Sequence, residues 1–274
     1  MKTQAYGQYC GLARAAEVIG EPWALLIIRD LIVAPKGFAE LHEGLPGIHM
    51  SILSARLEEL ERAGVIRRLV LSTGDPVAFE LTEYGNELEE IVLRLGRWGA
   101  KTLGGPRRDE TVTPDSMVMA LRTMFRPETA QGVQIGYQLN LGRITIHARV
   151  DDGKVEVGKG PIPDADLVMD AGPVLKALVA GEMSPREAIE SGGVRLSGDP
   201  RLLDWFVELF HITPAPPGHP SLNGLMNGMS TMRQQRNVTA ETTERLARQS
   251  LASAGNGSWN GGSPNGHPPA ISAH

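Results

Sequence analysis

The sequence predicts an α+β chain: a helical N-terminal domain that carries a small hairpin, then a second domain mixing strands and helices, then a tail. Three observations predict it. Apolar residues recur at helical spacing over most of residues 12–98, broken only by two short strand-like runs near residues 65–71 and 77–82. Residues 133–157 change to two-residue alternation before helical spacing returns beyond residue 174. Between these regions GGPRRDETVTP (104–114) has the Gly, Pro and charge of an interdomain linker, and the stretch from residue 213 is rich in Pro, Gly, Ser and Asn. The expected divisions are a first domain over 1–103, a linker at 104–113, a second domain over 114–212 and a disordered tail at 213–274. A chain of 274 residues, 41% of them apolar, suffices for two cores of ordinary size.

In the first domain, Leu12, Ala15, Ala16 and Ile19 place a short helix that Gly20 closes. Pro22 suits a first helical turn, and Trp23, Leu26, Ile27 and Leu31 give the next helix its inward stripe until Pro35 stops it. Phe38, Leu41 and Leu45 mark a third helix. Leu45-Pro46-Gly47 turns the chain into a fourth, because neither Pro nor Gly continues a helix readily. There Leu53, Leu57 and Leu60 share one face, which must be buried, and Ala63-Gly64 ends the helix. VIRRLVL, the turn STGDP and VAFELT then read as a two-stranded hairpin. Thr82 caps a final helix whose Leu88, Ile91, Val92, Leu95 and Trp98 form a broad apolar stripe. Such a stripe needs a partner surface, which a second copy of the chain would supply.

Two short helices joined by a tight turn, set between a longer helix and a hairpin, make the layout of a winged helix-turn-helix. The face of the fourth helix turned from the core carries His49, Met50, Ser51, Ser54, Ala55 and Arg56 near its start. A recognition helix offers its N-terminal residues to the major groove while its other side stays anchored. Ser51, Ser54 and Arg56 are the leading candidates for DNA contact, since hydroxyls bond phosphates or base edges and arginine suits phosphate and guanine alike. His49 and Met50 stand where they would read bases or seal the turn. Lys36, Arg67 and Arg68, on the hairpin side, are candidate phosphate contacts. The plain alternative for each is a solvated surface.

The order VIGEPWALLIIRDL, KGFAELHEGLPGI, LSARLEELERAGVI, FELTEYG and LGRWG, with Cys10 ahead of it, resembles the HxlR family of winged-helix transcriptional regulators over residues 9–99. The resemblance implies a homodimer on double-stranded operator DNA, its two recognition helices in successive major grooves. It also implies an N-terminal cysteine that senses oxidants or electrophiles, for which Cys10 is the candidate; the alternative is an inert thiol beside the dimer helices. Two departures bear on the contacts. The helix start reads His49-Met50-Ser51, and the hairpin carries Asp75-Pro76-Val77-Ala78 where the family often has a basic residue.

In the second domain, Met117, Leu121 and Met124 place a helix over 114–125. Alternation at Val133, Ile135, Tyr137 and Leu139, at Ile144, Ile146, Ala148 and Val150, and at Val155 and Val157 gives antiparallel strands with tight turns at Leu141-Gly142 and Asp152-Gly153. Helices follow over 174–180 and 185–191, then the strand VRLSG and a last helix over 200–211. LVAGEMSPREAIESG and VRLSGDPRLL resemble the sterol carrier protein type 2 superfamily, a likeness that extends over 114–212. It implies a sheet covered by helices around a cavity for a small apolar ligand. A filled core has the same periodicity. In the tail, VTAETTERLARQSLA (238–252) lacks the wide stripe that would hold a helix.

A net charge of −5 argues against broad nonspecific attraction to nucleic acid. Residues 1–105 carry 11 Lys and Arg against 14 Asp and Glu, so DNA binding must depend on a few placed cations. The same acidity supports a second reading: a lipid-binding or carrier protein whose winged helix serves mainly for dimerisation. A single cysteine excludes an intramolecular disulfide framework. With no apolar run of about eighteen residues and no signal-peptide core, the chain is expected to be cytoplasmic with no membrane span. The seven histidines lack metal-ligand spacing, and Gly104-Gly105 and Gly192-Gly193 lack the context of a phosphate loop, so no metal, cofactor or enzymatic activity is expected.

Overall fold

The computed structural model describes residues 5–69, 77–104, 110–213 and 215. The first domain runs α1 (Gly11–Ile19), α2 (Ala24–Val33), β1 (Lys36–Gly37), α3 (Phe38–Gly44), α4 (Met50–Arg62), β2 (Ile66–Leu69), β3 (Ala78–Leu81), α5 (Glu83–Asn86) and α6 (Leu88–Ala100). Its core gathers Ile27, Ile28 and Leu31 of α2, Leu41 of α3, and Leu53, Leu57 and Leu60 of α4, closed by Ile66 and Leu81 of the sheet. The ridge expected on α4 is therefore the one it buries. On α2 the expected stripe is corrected at one position: Leu26 is 41% exposed and Ile28 is buried. In ALLIIRDLIV nearly every position is apolar, so spacing alone does not say which side turns inward.

The hairpin is also larger than expected. β2 pairs antiparallel with β3, and β1 adds to the free edge of β3, giving the order β1-β3-β2. Two residues, Lys36-Gly37, are too few to show a strand period. The hairpin turn at 70–76, with Asp75 and Pro76, lies outside the described residues. Thr82 does cap a helix, its Oγ1 accepting the Gly85 N–H at 3.0 Å, but that helix is the short α5, and α6 follows after Glu87. Gly85 sits where a Cβ would overlap the Val65 carbonyl oxygen, so this corner requires glycine.

The second domain runs α7 (Pro114–Met124), β4 (Gln134–Leu141), β5 (Ile144–Asp151), β6 (Lys154–Lys159), β7 (Leu167–Asp170), α8 (Leu175–Val179), α9 (Pro185–Glu190), β8 (Arg195–Gly198) and α10 (Arg201–Leu209). Its sheet has five strands in the order β6-β5-β4-β7-β8, antiparallel except where β7 lies parallel to β4. β7 was not expected, because LVMD offers only two inward positions, Leu167 and Met169. Register brings Tyr137 opposite Ala148 and Leu139 opposite Ile146, so the inward alternation of the two strands coincides. The rings of Tyr137, Phe206 and Phe210 meet with centroids 4.8–6.3 Å apart. They fill the space between the sheet and α10, and all three are fully buried.

α7 places its apolar residues in the second core and also contacts two helices of the first domain. A capping box between Thr113 and Ser116 starts it; one side packs on β5 and β6, the other on α2 and α6. Val33 of α2 and Ala100 of α6 reach the second core across this helix. Of the expected linker, residues 105–109 lie outside the described residues, as do residue 214 and everything from 216 on, including the tail and its 238–252 segment. Among the described residues no helix is long and apolar enough to cross a membrane.

Candidate nucleic-acid interface

α4 presents its start to solvent because the rest of it is anchored. Leu53, Leu57 and Leu60 hold it in the core, His49 occupies the N-cap with extended backbone, and the first turn contains no acidic residue. Exposed N–H groups and the positive end of the helix dipole therefore face outward together, an arrangement that suits a phosphate. Met50 is 62% exposed, and His49, Ser51 and Ser54 are exposed beside it. These four residues form the predicted cluster.

Two predicted cations are not there. Arg56 is 4% exposed and pairs with Glu59 of its own helix and, at 3.4 Å, with Glu21 ahead of α2. It ties α4 to the preceding segment, and the expectation that it faces DNA is corrected: the guanidinium is buried against the carboxylates of Glu21 and Glu59. Lys36 is 3% exposed, its Nζ donating to Asp115 Oδ1 of α7 at 3.0 Å. This buried ion pair joins the winged helix to the second domain, and Lys159 stands 3.4 Å from the same oxygen. Next to it Asp30 is fully buried and accepts from Arg29 at 2.8 Å. Burial pushes the Asp30 carboxyl above the ordinary carboxylate value, and the Arg29 charge opposes that rise.

Arg67 and Arg68 are exposed on β2 as expected, but each already has a carboxylate: Arg67 bonds Glu80 at 2.6 Å and Arg68 bonds Glu61 at 3.1 Å. The Arg68 guanidinium also lies 5.7 Å from the Phe79 ring centroid. One exposed cation escaped the sequence reading. Arg62, in the last turn of α4, shares the helical face of Ser51, Ser54 and Glu58. Extending the helical period of Ser51 three turns onward would have found it.

A second surface lies along α6, where no residue is buried. Of the predicted stripe, Ile91, Leu95 and Trp98, the last 70% exposed, face solvent in the single chain, as do Tyr9 and Leu12 near the start of α1, whereas Leu88 and Val92 are half-buried against the first core. Cys10 is exposed at the N-cap of α1. The segment before it is tied down through Glu17, which accepts the Tyr6 N–H at 2.9 Å and an Arg14 bond at 2.7 Å; these bonds, the backbone one first, hold its carboxyl below the usual range. Among the described residues no group of three or more His, Cys, Asp or Glu side chains is placed to hold a metal.

The sequence profile of the HxlR-like helix-turn-helix family matches residues 18–105. YdeP of Bacillus subtilis (strain 168), an uncharacterized HTH-type transcriptional regulator, is 37% identical over 93 residues, which are 34% of this chain and 73% of YdeP. YtcD of the same organism, also an uncharacterized HTH-type transcriptional regulator, is 42% identical over 85 residues, 31% of this chain and 68% of YtcD. Among solved structures, the redox regulator HypR in its oxidized form is similar with 31% identity and a TM-score of 0.33, over 35% of this chain and 99% of the HypR chain. The relatives are transcriptional regulators and not enzymes.

Proposed function

The chain belongs to the HxlR-like helix-turn-helix family, and from that premise we propose that it is a cytoplasmic transcriptional regulator that binds operator DNA as a homodimer. The observation that carries this reading is the start of α4: exposed, free of carboxylates, and braced from behind by Leu53, Leu57 and Leu60. Ser51, Ser54 and the first N–H groups contact phosphate or base edges, His49 and Met50 lie over the bases, and Arg62 adds a cation at the far end. Arg67 and Arg68 reach phosphates by giving up Glu80 and Glu61, an exchange of exposed ion pairs that costs little. The stripe of α6, with α1, pairs two copies so that their α4 helices enter grooves about 34 Å apart.

The second domain, which we read as sterol carrier protein type 2-like, supplies regulation through α7; Tyr137, Phe206 and Phe210 fill its centre, so a small apolar ligand enters it only by displacing these rings. Cys10 is a second input: with one cysteine per chain, an oxidant that takes two electrons and two protons from two thiols would join two subunits. Both inputs act by shifting the spacing of the two α4 helices.

Protection mapping on the chain's own upstream DNA, followed by titration of the protected site at several salt concentrations, tests the proposal. A sequence-preferring complex with a steep salt slope is expected, and Ser51→Glu should weaken it at least about tenfold, ~1.4 kcal/mol, by setting a carboxylate against phosphate. A second reading, the lipid carrier with a winged helix used for dimerisation, draws on the burial of Lys36 and Arg56 and the pairing of Arg67 and Arg68. DNA binding without salt slope or sequence preference would establish it over the regulator.

A further inference from the structure

Where α6 crosses the C-terminal end of α7, the two domains enclose a cleft of about 660 Å3. The crossing is close because α6 has Gly96 there: a Cβ would stand 3.0 Å from Thr123 Oγ1 and 3.2 Å from its Cγ2. The floor is apolar and rigid, made by Met124, Phe125 and Ile212, each of them buried. One wall is α6, and the opposite lip is the segment from Arg126 to Glu128.

The charge of this cleft is opposite to that of the chain. Arg94, Arg97, Lys101 and Arg126 line it against two carboxylates, Glu90 and Glu128, in a protein of net charge −5. Glu90 bonds Arg94 at 2.7 Å and Glu128 bonds Arg126 at 3.1 Å, both across exposed side chains, so these pairs hold weakly and exchange readily. Arg97 is held differently. Its Nε donates to the Thr123 carbonyl at 2.8 Å, which fixes the guanidinium at the edge of the floor; its charge also acts on Glu128, and its other N–H groups make a planar fork suited to a carboxylate. Trp98, largely exposed, adds a flat apolar surface on the same wall.

We propose that this interdomain cleft binds a small organic acid, its carboxylate on Arg97 and Lys101 and its apolar body against Trp98 and Ile212. The cleft differs in place and chemistry from the interior of the second domain, where Tyr137, Phe206 and Phe210 fill the centre. Trp98 also ends the exposed stripe of α6, so an occupant touches both domains and the helix read above as the dimer surface. That consequence rests on the proposed function; the binding does not.

The test uses the full chain without DNA and two probes of one shape, 2-naphthoate and uncharged 2-naphthalenemethanol, measured by titration calorimetry. Naphthoate should bind saturably, one per chain, at least about tenfold more tightly than the alcohol. Lys101→Gln and Arg94→Gln, both exposed, each remove one positive charge from the cleft and should each weaken naphthoate severalfold with an unchanged melting temperature. Trp98→Ala should weaken both probes alike. Equal binding of the two probes, or naphthoate affinity unchanged in the Lys101→Gln and Arg94→Gln variants, would overturn the assignment. A chain that binds naphthoate here but no operator DNA leaves the cleft assigned and removes the regulator reading, so the two fail separately.

Discussion

Lys36→Ala separates the role that sequence position suggests for this lysine from the role its surroundings give it. The Nζ lies 3.0 Å from Asp115 Oδ1, with the lysine side chain 3% and the aspartate side chain 10% exposed. Removing one member of a buried pair leaves the other charge buried without its partner, which costs about 3–5 kcal/mol. Lys159, 44% exposed and 3.4 Å from the same oxygen, remains as a partial counter-charge, so the lower end, about 3 kcal/mol, applies. For a folded region of this size that is a fall of roughly 6–12 °C in melting temperature. Urea unfolding followed by fluorescence reads it directly, and the double variant Lys36→Met with Asp115→Asn should recover most of the loss because no charge is left buried alone. Operator binding supplies the contrast. A lysine on a phosphate contributes about one unit to the salt slope, and the slope of Lys36→Ala should equal that of the wild type. An unchanged unfolding midpoint together with a slope reduced by about one would refute the buried-pair argument and return Lys36 to the DNA surface.

Arg56→Ala should behave as a stability variant as well. It leaves Glu21 and Glu59, both half-buried, without their shared guanidinium, and a loss of about 2–3 kcal/mol in urea unfolding is expected, with the salt slope of operator binding retained. Asp30→Asn tests the raised carboxyl. The folded state holds this proton more tightly than the unfolded state, so the Asp30 contribution falls as pH rises from the ordinary value of 3.8 through the higher folded value, and asparagine lacks that fall. The urea midpoint of the variant relative to wild type should therefore rise as pH is raised from 3.8 through the folded-state value, and a difference independent of pH would contradict it. Gly85→Ala should lower the unfolding free energy by about 2 kcal/mol or more, since its Cβ meets the Val65 carbonyl and backbone has nowhere to yield.

What could be read from the sequence was whatever a repeating pattern states. Leu53, Leu57 and Leu60 recur at the helical period and are the ridge α4 buries. Ile91, Leu95 and Trp98 recur likewise, and their exposure in the single chain agrees with a stripe in need of a partner. Arg56 could not be read this way. It lies roughly 60° around the helix from Leu53, at the border of the ridge, where the period no longer decides between inside and outside. Glu21, a residue of another segment, decides it. Lys36 is further from reach, since its partner stands 79 positions on and belongs to another domain. β7 fails for shortness alone: two inward residues make no alternation, and its place beside β4 is set by the parallel pairing.

The coupling proposed between the domains would run through α7. With β5 and β6 on one side and α2 and α6 on the other, a change in the second domain reaches the first as a displacement of α2 or of α6. These two helices are not equally easy to move. α2 buries Ala24, Ile27, Ile28, Asp30 and Leu31, so shifting it disturbs the core that braces α4, whereas α6 buries no residue fully and reaches that core only through the half-buried Leu88 and Val92. The helix with fewer buried contacts moves at lower free energy. In the proposed dimer, a signal from the second domain should thus leave α4 intact and reorient α6, changing the distance between the two α4 helices and not the shape of either.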